Sequence, residues 1–221
     1  RDSISDLLNE NNINHVFLKG SALLVSFGQN FAKRRMIGDI DILVENKDIN
    51  DSYDILLKSG FQKLDDGEID LTRDFKGKKN RHLKRLTHPN FIAALEVHNE
   101  PLIEKFSDML SSIEILKEKE IVCNKYYIPN KDHLWKHSIL NWQINDSGFY
   151  LNSISLRSIY DALILQPKGL SKILKNSRKE IKHFFTLISV FDSDYSSYNT
   201  IRKIIFISKL KFKLFEVLSY N

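Results

Sequence analysis

The sequence predicts an α+β chain: short strands alternating with helices toward the N-terminus, then a mainly helical remainder. Three observations lead there. Apolar, β-rich runs of strand length recur at 13–18, 39–44 and 91–98, with segments of helical spacing between them. The composition changes near Pro101, after which apolar residues recur mostly at helical intervals. No stretch approaches the roughly 18 consecutive apolar residues of a membrane span, so no membrane partner is expected.

In chain order, Ser3 or Ser5 caps a short helix carrying Ile4, Leu7 and Leu8, which Asn11-Asn12 ends. Ile13 to Leu18 reads as a buried strand. Lys19-Gly20-Ser21 breaks it, and Ala22 to Phe27 follows with helical spacing and Gly28 as its C-cap. Asn30 to Ile37 is a polar, basic loop before the strand Asp39 to Val44. A helix capped by Asn46 or Asp48 runs to about Leu57, and Phe61 to Leu64 is a third strand. Asp65 to Asn80 is charged and lacks periodicity. Arg81 to Thr87 alternates weakly as a strand, and Phe91 to His98 is a strand on propensity. Beyond Pro101, Ile103 to Leu116 reads as an amphipathic helix and Ile121 to Ile128 as a short strand-like run. Helices follow from Asp132 through Trp142, from Leu151 to Leu165, over Ser171 to Phe191 as one or two, and from Tyr195 to Tyr220.

The 221 residues allow one large domain or two small ones, and 42% hydrophobic content supports a proper core. We place a core domain at 1–101 and a helical region at 102–221. The single cysteine, Cys123, excludes an internal disulfide and fits a reducing cytoplasm; we expect it to pack in a strand. Arg1 to Asp6 has no apolar h-region, so no signal peptide is expected. The net charge of +5 concentrates between Lys76 and Arg85 and around Lys203, Lys209, Lys211 and Lys213. Such a balance suits an anionic ligand, a nucleotide or nucleic acid, and equally an ordinary Lys-rich protein.

Chemistry concentrates in Gly38-Asp39-Ile40-Asp41-Ile42-Leu43-Val44. Side chains alternate along a strand, so Asp39 and Asp41 would share a face about 7 Å apart. Read alone, the pair is either two solvated acids or a cation site, and carboxylate oxygens suit Mg²⁺. Glu96 is a third acid, inside an apolar strand where an unpaired carboxylate is costly. Before the pair, the strand–glycine–helix junction at Gly20-Ser21 offers free backbone N–H groups to a phosphate. Two-metal phosphoryl transfer needs this order of parts: a phosphate turn, then carboxylates converging from neighbouring strands on metals about 3.5–4 Å apart.

The segments Leu18-Lys19-Gly20-Ser21-Ala22-Leu23, Arg35-Met36-Ile37-Gly38-Asp39-Ile40-Asp41-Ile42-Leu43-Val44 and Leu95-Glu96-Val97-His98 resemble three motifs of a bacterial nucleotidyltransferase-like family. That family belongs to the DNA polymerase beta-type nucleotidyltransferase superfamily. Its motifs read LKG-x-A-L, R-x-x-G-D-I-D-L-L-V and E-[LV]-H. Asp132 to Leu163, with His137 and Leu156 to Asp161, is similar to the family's helical half, so the resemblance spans about residues 5–165. After His98 the family commonly has Trp, where this chain has Asn99. The resemblance implies a small mixed sheet flanked by helices, with a helical C-terminal region. It implies Asp39, Asp41 and Glu96 as metal ligands and catalytic residues, Gly20 and Ser21 as phosphate holders, and Lys19 and Arg35 as phosphate-neutralising cations. Asp41 or Glu96 would also deprotonate or orient the acceptor hydroxyl. The expected activity is Mg²⁺- or Mn²⁺-dependent transfer of a nucleoside monophosphate from an NTP such as ATP. Its acceptor would be a small molecule, a sugar derivative or a protein; transfer to RNA ends, or nucleotide binding without catalysis, are the alternatives.

His98 shares the Glu96 face, and His82 and Lys84 would look into the same cleft from the next strand; all three are candidate substrate contacts. His133 and His137, four apart on a helix, are read as structural, and Trp135 and Trp142 as core.

Overall fold

A computed structural model describes residues 2–28, 31, 33–64, 81–192 and 194–195. The charged stretch Asp65 to Asn80 and most of the expected last helix, with its lysine series, lie outside the described residues. The chain divides into two compact units, 1–134 and 135–221.

The first unit is built on a five-stranded mixed sheet of order β1-β2-β5-β4-β3. Its strands are β1 (His15–Phe17), β2 (Ile40–Val44), β3 (Gln62–Lys63), β4 (Leu86–Thr87) and β5 (Leu95–His98). All neighbours are antiparallel except β2 and β5, which run parallel in the centre. A parallel pair needs a long crossover, here the whole segment from Glu45 to Ala94. Every residue of β2 is buried, Asp41 among four apolar residues, as in a strand covered on both faces. Helix α1 (Asp2–Glu10) packs against α3 (Ile49–Lys58), α3 against β5, and α2 (Lys19–Phe27) against β1 and β2.

Several elements differ from the sequence reading: Ser3 and Ser5 lie within α1 and do not cap it, the strands expected over 81–87 and 91–98 shorten to β4 and β5, and the helix expected over 151–165 breaks after Leu151 and restarts at Leu156. Ile103 to Leu116 is not one helix: a 3-10 segment, Glu104–Met109, breaks at Phe106 and Leu110, and α4 (Ser112–Lys117) starts anew. The restart has a local cause, because the Ser111 hydroxyl accepts the Glu114 backbone N–H at 3.4 Å. The run Ile121 to Ile128 is a hairpin, β6 (Glu120–Val122) and β7 (Tyr126–Ile128). Cys123 and Asn124 form its turn with φ of 53° and 52°, so the cysteine is exposed in a left-handed turn and does not pack in a strand. Tyr126 and Tyr127 stack edge-on against Phe17 and His15, which packs the hairpin onto β1.

The second unit takes the later part of α5 (Lys131–Leu140), then α6 (Gly148–Leu151), α7 (Leu156–Ile164), α8 (Leu170–Asn176) and α9 (Lys179–Phe191). Its core includes Trp135, Ile139, Phe184, Phe185 and Ile188, with Trp135 against Phe185 at 6.1 Å between rings. Helix α5 continues as a π-helical turn, Asn141–Asn145, with Asp146 N bonded to Asn141 O at 3.1 Å. His183 is buried between two amides, its Nδ1 3.0 Å from Gln143 Oε1 and its Nε2 2.9 Å from Asn152 Oδ1. A neutral imidazole donates only once, so one amide must turn its NH₂ to the ring; Gln143 Nε2, without another partner among the described residues, meets that need. Burial pushes the His183 pKa down to about 4.

Candidate active site

The parallel register of β2 and β5 sets Asp41 directly beside Glu96. Alternation along each strand sends Ile40, Ile42, Leu95 and Val97 one way and Asp41, Glu96 and His98 the other. Side-chain ligand atoms of Asp41, Glu96 and His98 all lie within 4.8 Å of one another. Asp39 stands one residue before β2 begins and is half-buried; it lies outside this trio but within reach of its charge.

The electrostatics follow from the crowding. Burial would raise the Asp41 carboxyl, but a hydrogen bond from His98 and the Lys19 charge override it and hold the group well below the usual carboxylate range. Burial likewise opposes ionisation of Glu96; the bond from His98 and the Lys19 charge win over the Asp41 repulsion, and its pKa is lowered. Asp39 has no such partner of its own strength. Burial first, then the Glu96 and Asp41 charges, raise its pKa, with Arg85 and Lys19 only partly offsetting them.

Lys19 is the nearest cation. Its Nζ lies 2.6 Å from Asp41 Oδ1 and 3.9 Å from Glu96 Oε2. Its backbone is left-handed, with φ of 49°, a conformation that costs a non-glycine residue and needs its surroundings to hold it. The bond from Leu18 N to Asp41 O, 2.9 Å long, fixes this junction against β2. Helix α2 starts at Lys19 itself, three residues earlier than the spacing predicts, so Gly20 and Ser21 form its first turn. Arg35 lies against Gly20, buried at 8% exposure, and donates to Met36 O at 3.0 Å; a Cβ on Gly20 would collide with its guanidinium. The Ser21 hydroxyl is fully buried and has no partner among the described residues. What this turn offers a phosphate is therefore its backbone N–H groups.

Of the other candidates, His82 forms a bridge with His98 and its ring lies 5.1 Å from it, while its Nδ1–H donates to Leu83 O at 3.0 Å. Burial, then the His98 charge, lower its pKa. Lys84 is half-buried, and its carbonyl accepts the Tyr53 hydroxyl at 2.9 Å. Two cations escaped the sequence reading as site residues: Arg81, whose Nη1 lies 3.3 Å from His98 Nδ1, and Arg85, whose charge acts on Asp39. The only signal for either was a basic stretch preceding β4.

Two carboxylates and an imidazole, with a third carboxylate beside them, form a donor set rich in hard oxygen atoms. Such a set can hold a divalent cation. Among the described residues no helix is long and apolar enough to cross a membrane. A family model described as "Uncharacterised nucleotidyltransferase" matches residues 2–166, about three quarters of the chain. No curated protein matches it.

Proposed function

The chain belongs to this nucleotidyltransferase family, and from that premise we propose that it transfers a nucleoside monophosphate from an NTP to an acceptor hydroxyl, releasing pyrophosphate. The observation that carries this reading is the pairing of Asp41 with Glu96 across parallel strands, beside the first turn of α2. Asp41 and Glu96, joined by Asp39, would hold divalent metal, which when bound supplies charge neutralisation at the phosphates and acidifies an oxygen it touches. The backbone N–H groups of Gly20 and Ser21 would receive the triphosphate, with the helix dipole favouring its charge. Arg35, pinned beside Gly20, would meet phosphate oxygens with its planar fork, and Lys19 would add a second cation. Asp41 or Glu96 would accept the proton of the acceptor hydroxyl or orient it. His82 and Lys84 would contact substrate, whereas His98, fully buried and held on both ring nitrogens, would act on it only through the carboxylates.

Because phosphoryl transfer needs positioning and charge stabilisation more than covalent help, a site of carboxylates, cations and amides is sufficient. Calorimetric titration of ATP, CTP, GTP and UTP in the presence of Mg²⁺ tests the reading. Binding of at least one, lost in Asp41→Asn, is expected; no binding by the wild type to any of the four would sink it.

A further inference from the structure

Resting on the reading of Asp41 and Glu96 as metal ligands, we propose that Arg81 locks His98 as a hydrogen-bond donor to both carboxylates. The imidazole is thereby kept out of the coordination sphere, and the protein presents the metal with oxygen donors only.

His98 has a partner on each nitrogen. Nε2 lies 3.0 Å from Asp41 Oδ1 and 3.1 Å from Glu96 Oε2; Nδ1 lies 3.3 Å from Arg81 Nη1. A guanidinium donates hydrogen bonds and never accepts them, so Arg81 requires a lone pair on Nδ1. The neutral ring then carries its proton on Nε2, where it faces two ionised carboxylates, groups that only accept. In this one tautomer the Nδ1 lone pair receives the Arg81 N–H and the single Nε2–H is shared between Asp41 and Glu96.

Metal ligation through Nε2 needs the other tautomer, since a coordinating nitrogen must offer its lone pair. The proton would move to Nδ1 and meet the Arg81 N–H head on, two donors facing each other around a ring with 0% exposure. Water cannot relieve that clash in so buried a place. The Arg81 backbone is fixed beside β5, because its carbonyl accepts from Asn99 N at 3.0 Å and Leu83 N donates to Val97 O, also at 3.0 Å. The His82 to His98 bridge closes the same ladder.

Chemical selection follows. Imidazole nitrogen strengthens binding of Zn²⁺ and later transition metals, whereas carboxylate oxygens alone leave the preference with Mg²⁺ and Mn²⁺. Arg81 is thus a positioning residue that acts on the metal through His98, and His98 holds both carboxylate oxygens in place.

The test uses the full chain with ¹⁵N-labelled histidine, Mn²⁺ as probe and pulsed electron paramagnetic resonance as readout. Wild type is expected to bind Mn²⁺ with no directly coordinated histidine nitrogen. In Arg81→Met a histidine nitrogen coupling should appear, and affinity for Zn²⁺ over Mn²⁺ should rise by about tenfold or more. Arg81→Lys, which keeps a donor facing Nδ1, should retain the wild-type spectrum. A strong histidine coupling in wild type would overturn the proposal while leaving the metal site standing, as would an Arg81→Met spectrum and Zn²⁺ preference unchanged from wild type. Failure of wild type to bind Mn²⁺ at all would instead refute the metal site and this inference with it. If Arg81→Met does not fold, the wild-type spectrum decides alone.

Discussion

Replacing Gly20 by alanine probes the contact between the first turn of α2 and Arg35. The added Cβ enters the volume that the guanidinium occupies, and the guanidinium is the movable end of a flexible side chain. Arg35 should therefore swing away and the fold persist. Losing the charge-assisted bond to Met36 O costs about 1.5–3 kcal/mol. Alanine returns about 1 kcal/mol of helix propensity, because Gly20 sits in a helical turn without a left-handed φ. The expected net loss is about 0.5–2 kcal/mol, read as a shift of the urea midpoint at unchanged slope. Nucleotide affinity should fall about tenfold, equivalent to 1.4 kcal/mol, as Arg35 leaves the phosphate turn. Calorimetry of the best-bound NTP with Mg²⁺, run in parallel on Arg35→Met, measures it. If Gly20→Ala bound nucleotide like wild type while Arg35→Met did not, the idea that this glycine seats the arginine would be wrong.

Three further outcomes are expected. Asp39→Asn removes a charge that Glu96 and Asp41 repel, so the metal-free protein should gain about 0.3–0.5 kcal/mol after allowance for solvent screening, while Mg²⁺-dependent transfer is lost; paired denaturation and activity assays check both signs. The His183 pKa lies below its unfolded value, so its contribution is complete above about pH 6.5 and is lost as pH falls toward 4. Between pH 7 and 5 that loss should be about 1–2 kcal/mol, with His15 and His82 adding in the same direction because their pKa values are also lowered; denaturant titrations of wild type and His183→Gln at both pH values isolate its share. Cys123→Asn, which eases the left-handed turn of the β6–β7 hairpin, should raise the melting temperature by about 1–3 °C.

Much of the architecture of the first unit was legible because its central strands announce themselves. The run from Asp39 to Val44 is apolar apart from its two acids, and period-two alternation alone put Glu96 and His98 on one face. The pairing of Asp41 with Glu96 was not legible: 55 residues separate them, and no local pattern specifies a parallel register. Arg81 was missed as a partner of His98 because a lone arginine in a basic stretch carries no period, and its role arises only from the strand ladder beside β5. The break after Met109 was readable in retrospect, since Ser111-Ser112-Ile113-Glu114 has the spacing of a capping box. Amphipathic periodicity from Ile103 onward outweighed that signal. The turn at Cys123-Asn124 was hidden by the opposite error, because β-prone residues on either side read as one uninterrupted strand.

The order β1-β2-β5-β4-β3 has a consequence for how the molecule comes into being. Among the described residues the β2–β5 pairing is the only parallel one in the sheet, and it closes a loop of about 50 residues before it gains a single ladder bond. Lys19 and Asp41 can meet early, within a short antiparallel unit, whereas Glu96 arrives only when that loop closes. A ribosome must therefore have released the chain well past His98 before the carboxylates share a face. Until then the growing polypeptide carries Lys19 and Asp41 without the second carboxylate and the imidazole that β5 brings to them.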